Sequence, residues 1–130
     1  MSLERVNPPA LPAPVGFSHA VVGEGRVVVL AGQTALDAEG RVVPGDVVQQ
    51  FEVALGNLLT ALEAAGGRPD QLAGLTVYAV DLADYRARAR EIGAVWRRLV
   101  GRDYPAMAGI GISRLWDDEA LVEVQGIAIL

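Results

Sequence analysis

The strand-like run "ALVEVQGIAI" carries one carboxylate, Glu123, among apolar neighbours. A carboxylate held there can take a proton from water and return it to a leaving group, provided other groups hold the substrate. The alternation of Leu121, Glu123 and Gln125 against Val122 and Val124 equally permits a solvated, outward-facing side chain. His19, the only histidine, has no carboxylate or nucleophile partner identifiable in the sequence. It reads as a packed or hydrogen-bonded strand residue rather than a base. Arg86, Arg90 and Arg97 recur on one side of a helix and could hold an anion or RNA, although nearby Asp84, Glu91 and Asp103 suit a solvated face better. Trp96 falls at helical spacing and reads as core, whereas Trp116, in the acidic turn "LWDDEA", reads as a contact residue. With no cysteine, thiol nucleophiles, disulfides and thiolate metal sites are excluded, and a single histidine argues against a histidine zinc site. No metal and no cofactor is expected.

These side chains sit in a chain of 130 residues, a common size for one domain with one sizeable core. Net charge is −5, which argues against non-specific nucleic-acid binding, since phosphate contacts need a basic surface. At 52% hydrophobic residues, part of the apolar surface is expected to be covered by other subunits. No apolar run reaches the length of a membrane span and the start lacks a signal peptide's pattern, so a cytoplasmic protein without membrane contact is expected.

The elements that must position the candidates follow from local pattern. Residues 1–15 form an extended arm, because Pro8, Pro9, Pro12 and Pro14 forbid helix. "FSHAVVG" and "RVVVLAGQ", split by Glu24-Gly25, predict a β-hairpin. Asp46 opens a helix with Gln49 completing a capping box, and Val48, Phe51, Leu55, Leu58, Leu59 and Leu62 form its apolar stripe. Gly66-Gly67 ends it. "LAGLTVYAVDL" predicts a strand buried on both faces. A second helix is expected from about Asp84 to Gly101, with Ile92, Val95, Trp96 and Leu99 inward, and two strands close the chain. The order is ββ-α-β-α-ββ, an α+β fold whose mixed sheet carries two helices on one face and needs a cover on the other.

Six segments, "GFSHAVV", "VVVLAGQTALDAEGRVVPGD", "LGNLLTALEAAGG", "TVYAVDLADY", "YPAMAGIGISRL" and "ALVEVQGIAI", occur in that order. Together they resemble the RidA (YjgF) family of enamine/imine deaminases, also called the endoribonuclease L-PSP family, over nearly the whole chain from about residue 16. The resemblance implies a chorismate-mutase-like fold assembled as a homotrimer, with small-molecule clefts between subunits. In the deaminases a Pro-Ala-Arg-Ser stretch supplies an arginine that grips the substrate carboxylate through a two-pronged hydrogen bond. Here that stretch reads Pro105-Ala106-Met107-Ala108, and a thioether has no donor to offer. Phe17 replaces a tyrosine, Ala31 a serine and Ala89 an asparagine. The resemblance retains Gly32, whose amide would line the pocket, and Glu123, which would position the attacking water.

Two functions compete on this reading. One is a hydrolase acting on an imine or enamine without the usual carboxylate contact, with standard 2-iminopropanoate turnover weak or absent. The alternative is a non-catalytic trimeric binder of small, neutral or apolar metabolites. RNA cleavage comes third, because the charge is wrong and no acid–base pair is visible.

Overall fold

A computed structural model describes residues 3–130 of the chain; the first two residues of the expected arm lie outside them. Its strands are β1 (Glu4–Val6), β2 (Ala20–Val22), β3 (Val27–Gln33), β4 (Leu72–Ala79), β5 (Ala106–Gly111) and β6 (Val122–Ile129). Its helices are α1 (Val47–Ala64), α2 (Leu82–Ala87) and α3 (Ala89–Leu99), with one 3₁₀ turn at Pro69–Gln71. The main sheet runs β3-β6-β4-β5. It is mixed: β6 pairs antiparallel with both β3 and β4, whereas β4 and β5 run parallel.

The capping box forms as its residue types dictate. Gln49 N–H donates to the Asp46 carboxylate at 2.9 Å, and Asp46 N–H donates to Gln49 Oε1 at 2.8 Å. The eighteen-residue helix closes where Gly67 N–H reaches back to the Leu62 carbonyl at 2.9 Å; Gly66, at φ +91°, makes the turn. Between these ends Phe51, Leu55, Leu58 and Leu62 lose essentially all solvent contact, and Val48 and Leu59 flank them. Each such side chain contributes about 1.5–3 kcal/mol on burial. They meet Leu75 and Val77 of β4, Val122 and Val124 of β6, and Ile92, Val95 and Trp96 of α3 in one core.

Three expectations need correction. The hairpin does not form: β2 pairs with β1 in a separate two-stranded sheet, and β3 pairs with β6. Gly25, at φ +145°, does make a turn, but the runs it separates diverge. The second helix is two helices, broken at Arg88 (φ −101°, ψ 17°), whose guanidinium ties Asp46 at 3.0 Å to Glu91 at 2.7 Å. β4 alternates in burial instead of being enclosed on both faces.

Alternation sets which side chains can meet. Val122, Val124, Gly126 and Ala128 of β6 face the helices, so Glu123, Gln125 and Ile127 face away. The face without helices is rich in apolar groups: Val29 is 78% exposed and Val27 63%, with Ile127 and Ile110 also open to solvent.

Candidate functional site

The ladder between β3 and β6 slips between Leu30 and Gln33: Leu30 sits opposite Gly126, but Gln33 sits opposite Val124. Three steps on β3 therefore match two on β6, and the extra residue falls at Ala31-Gly32. Such a bulge bends the strand and releases backbone from the ladder. Glu123 lies beside it. Its carboxylate rests directly over Gly32, where any Cβ would overlap Oε2. A Cβ here would push the carboxylate aside, so glycine lets Glu123 take this position, and its own backbone angles impose no such need.

The wall around this pair comes from the acidic turn. A cavity of about 400 Å³ is lined by Gly32, Gln33, Thr34, Leu36, Trp116, Asp117 and Glu123. Buried Thr34 donates its hydroxyl to the Asp117 carboxylate at 2.9 Å. Buried Gln50 of α1 anchors the following residues: its amide donates to the carbonyls of Val43 (3.3 Å) and Glu119 (3.2 Å), and its carbonyl accepts from Leu121 N–H at 2.8 Å. Trp116 projects from this anchored turn with its side chain 94% exposed. Neither Gln50 nor Thr34 was predicted to matter; a glutamine interrupting an apolar helical stripe was the available signal.

Phe17 and Met107 come together elsewhere. Ser18 bridges to Ala106 alongside β5, its N–H bonded to the Pro105 carbonyl at 2.9 Å and its hydroxyl to the Tyr104 carbonyl at 2.7 Å. That clasp brings Phe17 beside Met107, Tyr85 and Val77 around a cleft of about 310 Å³. Met107 is level with Leu75 across the parallel ladder and shares its face, packed against the core. Ala89, at the start of α3, borders a neighbouring cavity with Met107. His19 is a structural residue: its ring bonds the Pro12 carbonyl at 2.7 Å and meets Phe17 edge-on at 5.1 Å.

Within one chain, then, the six predicted residues fall into two groups. Ala31, Gly32 and Glu123 gather at the bulge; Phe17, Ala89 and Met107 gather at the β5 edge. Glu123 is level with Tyr78 and Met107 with Leu75, and β4 lies between their strands. The two are separated by about 10 Å across the sheet and about 10 Å along it, with side chains on opposite faces. Ala31, Gly32 and Met107 do border one shallow concavity of about 570 Å³ on the open face, with Thr76, Ala108 and Gln125. Among the described residues no group of three potential metal ligands exists, and no helix is long and apolar enough to cross a membrane.

A mixed four-stranded sheet with helices on one face, and a glutamate laid over a bulged glycine, defines a small α+β protein of the L-PSP type. The chain belongs to the Rid/YjgF family, whose description as Endoribonuclease L-PSP matches residues 8–130. It is 30% identical over 98% of its length to a RutC family protein of Pyrococcus abyssi, covering 98% of that protein. It is 32% identical to the 2-iminobutanoate/2-iminopropanoate deaminase of Capra hircus, covering 91% of this chain and 83% of the goat protein. A Rid protein of unknown function from Yersinia pestis superposes with a TM-score of 0.90 at 34% identity over the whole of both chains.

Proposed function

We propose that this chain is a Rid-type hydrolase that releases ammonia from a small imine or enamine lacking the usual carboxylate contact. The observation that carries the reading is the Glu123 carboxylate seated over the bulged Gly32. In the proposed step Glu123 takes a proton from water as the water oxygen bonds to the imine carbon. That proton passes to nitrogen to give a carbinolamine; the carbinolamine hydroxyl then yields its proton, by way of Glu123, to the nitrogen as the C–N bond breaks, and ammonia and a carbonyl compound leave. Backbone freed at the bulge would donate to charge developing on the substrate.

The same reading makes the protein a homotrimer of cytoplasmic type, with clefts between copies. Support comes from the exposed apolar sheet face and from the split of the candidate residues, which leaves each half-site short of partners within one chain. Phe17 and Met107 offer no hydrogen-bond donor from their side chains, which also favours the second reading, a non-catalytic binder of neutral metabolites.

The test is ammonia release from imines generated in situ, comparing 2-iminopropanoate with uncharged analogues. The uncharged imines are expected to turn over faster, and Glu123→Gln to lower that rate at least about a hundredfold. Equal rates for wild type and Glu123→Gln would refute the hydrolase and leave the binder.

A further inference from the structure

The α3 helix builds a second cavity, on the helix side of the sheet and away from Glu123. It measures about 530 Å³ and opens between α1, α2, α3 and β5. Phe51, Ile92, Trp96 and Met107 give it an apolar interior, and Val15, 88% exposed, stands at its mouth. Tyr104 stacks on Trp96 with centroids 6.4 Å apart and planes 19° from parallel. The interior is therefore dominated by flat, polarisable surfaces.

One kind of hydrogen-bond donor opens onto this space, and another lies behind its wall. Trp96 is only 4% exposed, and its indole N–H has no acceptor among the described residues. A buried donor without a partner costs about 1–3 kcal/mol, and this one is closed off from solvent, so its signal reports on the packing of the cavity wall. Arg90 and Arg97 line the same cavity and form no ion pair among the described residues, unlike Arg88, at the break before α3, and Arg98 on α3. They are seven residues apart, two turns along one face. Gly93 lies between them, and the Arg97 guanidinium folds back over it: a Cβ at Gly93 would come within 3.2 Å of Arg97 Nη1. Glycine there gives the guanidinium its place beside the cavity. The third arginine of the stripe, Arg86, does not border it.

We infer that this cavity binds an organic monocarboxylate with a flat aromatic body, its carboxylate at Arg90 and Arg97 and its ring system against Phe51, Met107 and Trp96. The planar guanidinium fork matches a carboxylate. The aromatic walls and the volume exceed what a three- or four-carbon acid can fill, and suit a bicyclic ring instead. Burial pushes the Tyr85 phenol up to about 12, so it stays protonated and adds a donor at the rim. The cavity shares Ala89 and Met107 with the half-site at the β5 edge, but no atom of Glu123 takes part, so binding here is tested separately from turnover.

Two measurements test it with the intact protein: calorimetric titration with 2-naphthoate at low salt, and the indole N–H resonances of ¹⁵N-labelled protein, assigned with Trp116→Phe. Expected are a shift of the Trp96 signal on titration as the ring packs against the indole, about tenfold weaker binding in Arg97→Gln or Arg90→Gln, and weaker binding of neutral 2-naphthamide and of 2-oxobutanoate. Both arginine variants alter exposed side chains, so folding is preserved. Glu123→Gln is expected to bind 2-naphthoate within twofold of wild type. Absent binding, an unmoved Trp96 signal, unchanged affinity in both arginine variants, or loss in Glu123→Gln alone would each overturn the assignment.

Discussion

Replacing Gln50 by leucine keeps the side-chain volume nearly constant and removes three hydrogen bonds at once. The strongest, from Leu121 N–H at 2.8 Å, fixes the entry to β6; those to Val43 and Glu119, at 3.3 and 3.2 Å, are longer and weaker. A buried backbone group left without a partner costs about 1–3 kcal/mol. Counting Leu121 N–H near the middle of that range, and the two carbonyls as partly rehydrated because Glu119 is exposed, the loss is roughly 3 kcal/mol. Better burial of the leucine returns about 1 kcal/mol, for a net destabilisation of about 2 kcal/mol. For a domain of this size that corresponds to a fall in Tm of roughly 6–10 °C. Urea denaturation followed by circular dichroism is the assay, at one fixed protein concentration because association would shift the midpoint. An unchanged m with a lower midpoint is expected. A loss below about 0.5 kcal/mol would refute the reasoning, since that is the level of an ordinary surface substitution.

Other outcomes follow from the same geometry. The Gln49 N–H and Arg88 hold Asp46 below the usual carboxylate range, and Arg88 does the same for Glu91, so their contribution is present above about pH 4–5 and lost as pH falls through the lowered folded values. Arg88→Gln is expected to flatten the decline in denaturation midpoint between about pH 5 and pH 3; parallel wild-type and variant curves would contradict this. Met107→Arg is expected to lower stability without conferring 2-iminopropanoate turnover, because its side chain packs on the core beside Leu75, a face opposite to that of Glu123; ammonia release at the rate of a standard deaminase would refute it. Val29→Lys is expected to dissociate the proposed trimer in sedimentation velocity, while a lone folded chain would tolerate it within about 0.5 kcal/mol; an unchanged sedimentation coefficient would refute this sheet face as the interface.

What could be read from the sequence was whatever neighbours in the chain determine. Asp46 and Gln49 announce their helix because the bonds they make span three residues, and the leucines of α1 and the inward residues of α3 repeat with the helical turn. Partner choice among strands is not local. "FSHAVVG" and "RVVVLAGQ" look like a hairpin because each is a good strand around a turn, yet nothing near Gly25 says that β1 and β6 compete successfully for them. The break at Arg88 is equally non-local, as it serves an ion pair with Asp46, 42 residues earlier. For the site, the residue types were legible through the family resemblance, but their distribution over two faces of the sheet was not. The bulge at Ala31-Gly32 appears only once β3 is laid against β6. Gln50 and the arginine-lined cavity were missed because a buried glutamine and a basic helical stripe both look like ordinary surface until the fold is known.

The strand order has a consequence for how the molecule comes into being. β6 lies between β3 and β4 and, among the described residues, is the only strand of the main sheet that pairs with β3. Until its residues are available, β3 has no ladder partner in that sheet, and the apolar stripe of α1 lacks Val122, Val124 and Ala128 to pack against. A chain emerging from the ribosome must carry those unsatisfied surfaces until β6 has been made. Pairings such as Arg26 with Leu130 and Ser18 with Ala106 close loops spanning most of the sequence. Non-local closure of this kind slows folding and prolongs exposure to misassociation. Strand β6 thus acts as the late clasp that joins β3 to the β4–β5 pair and closes the sheet over α1.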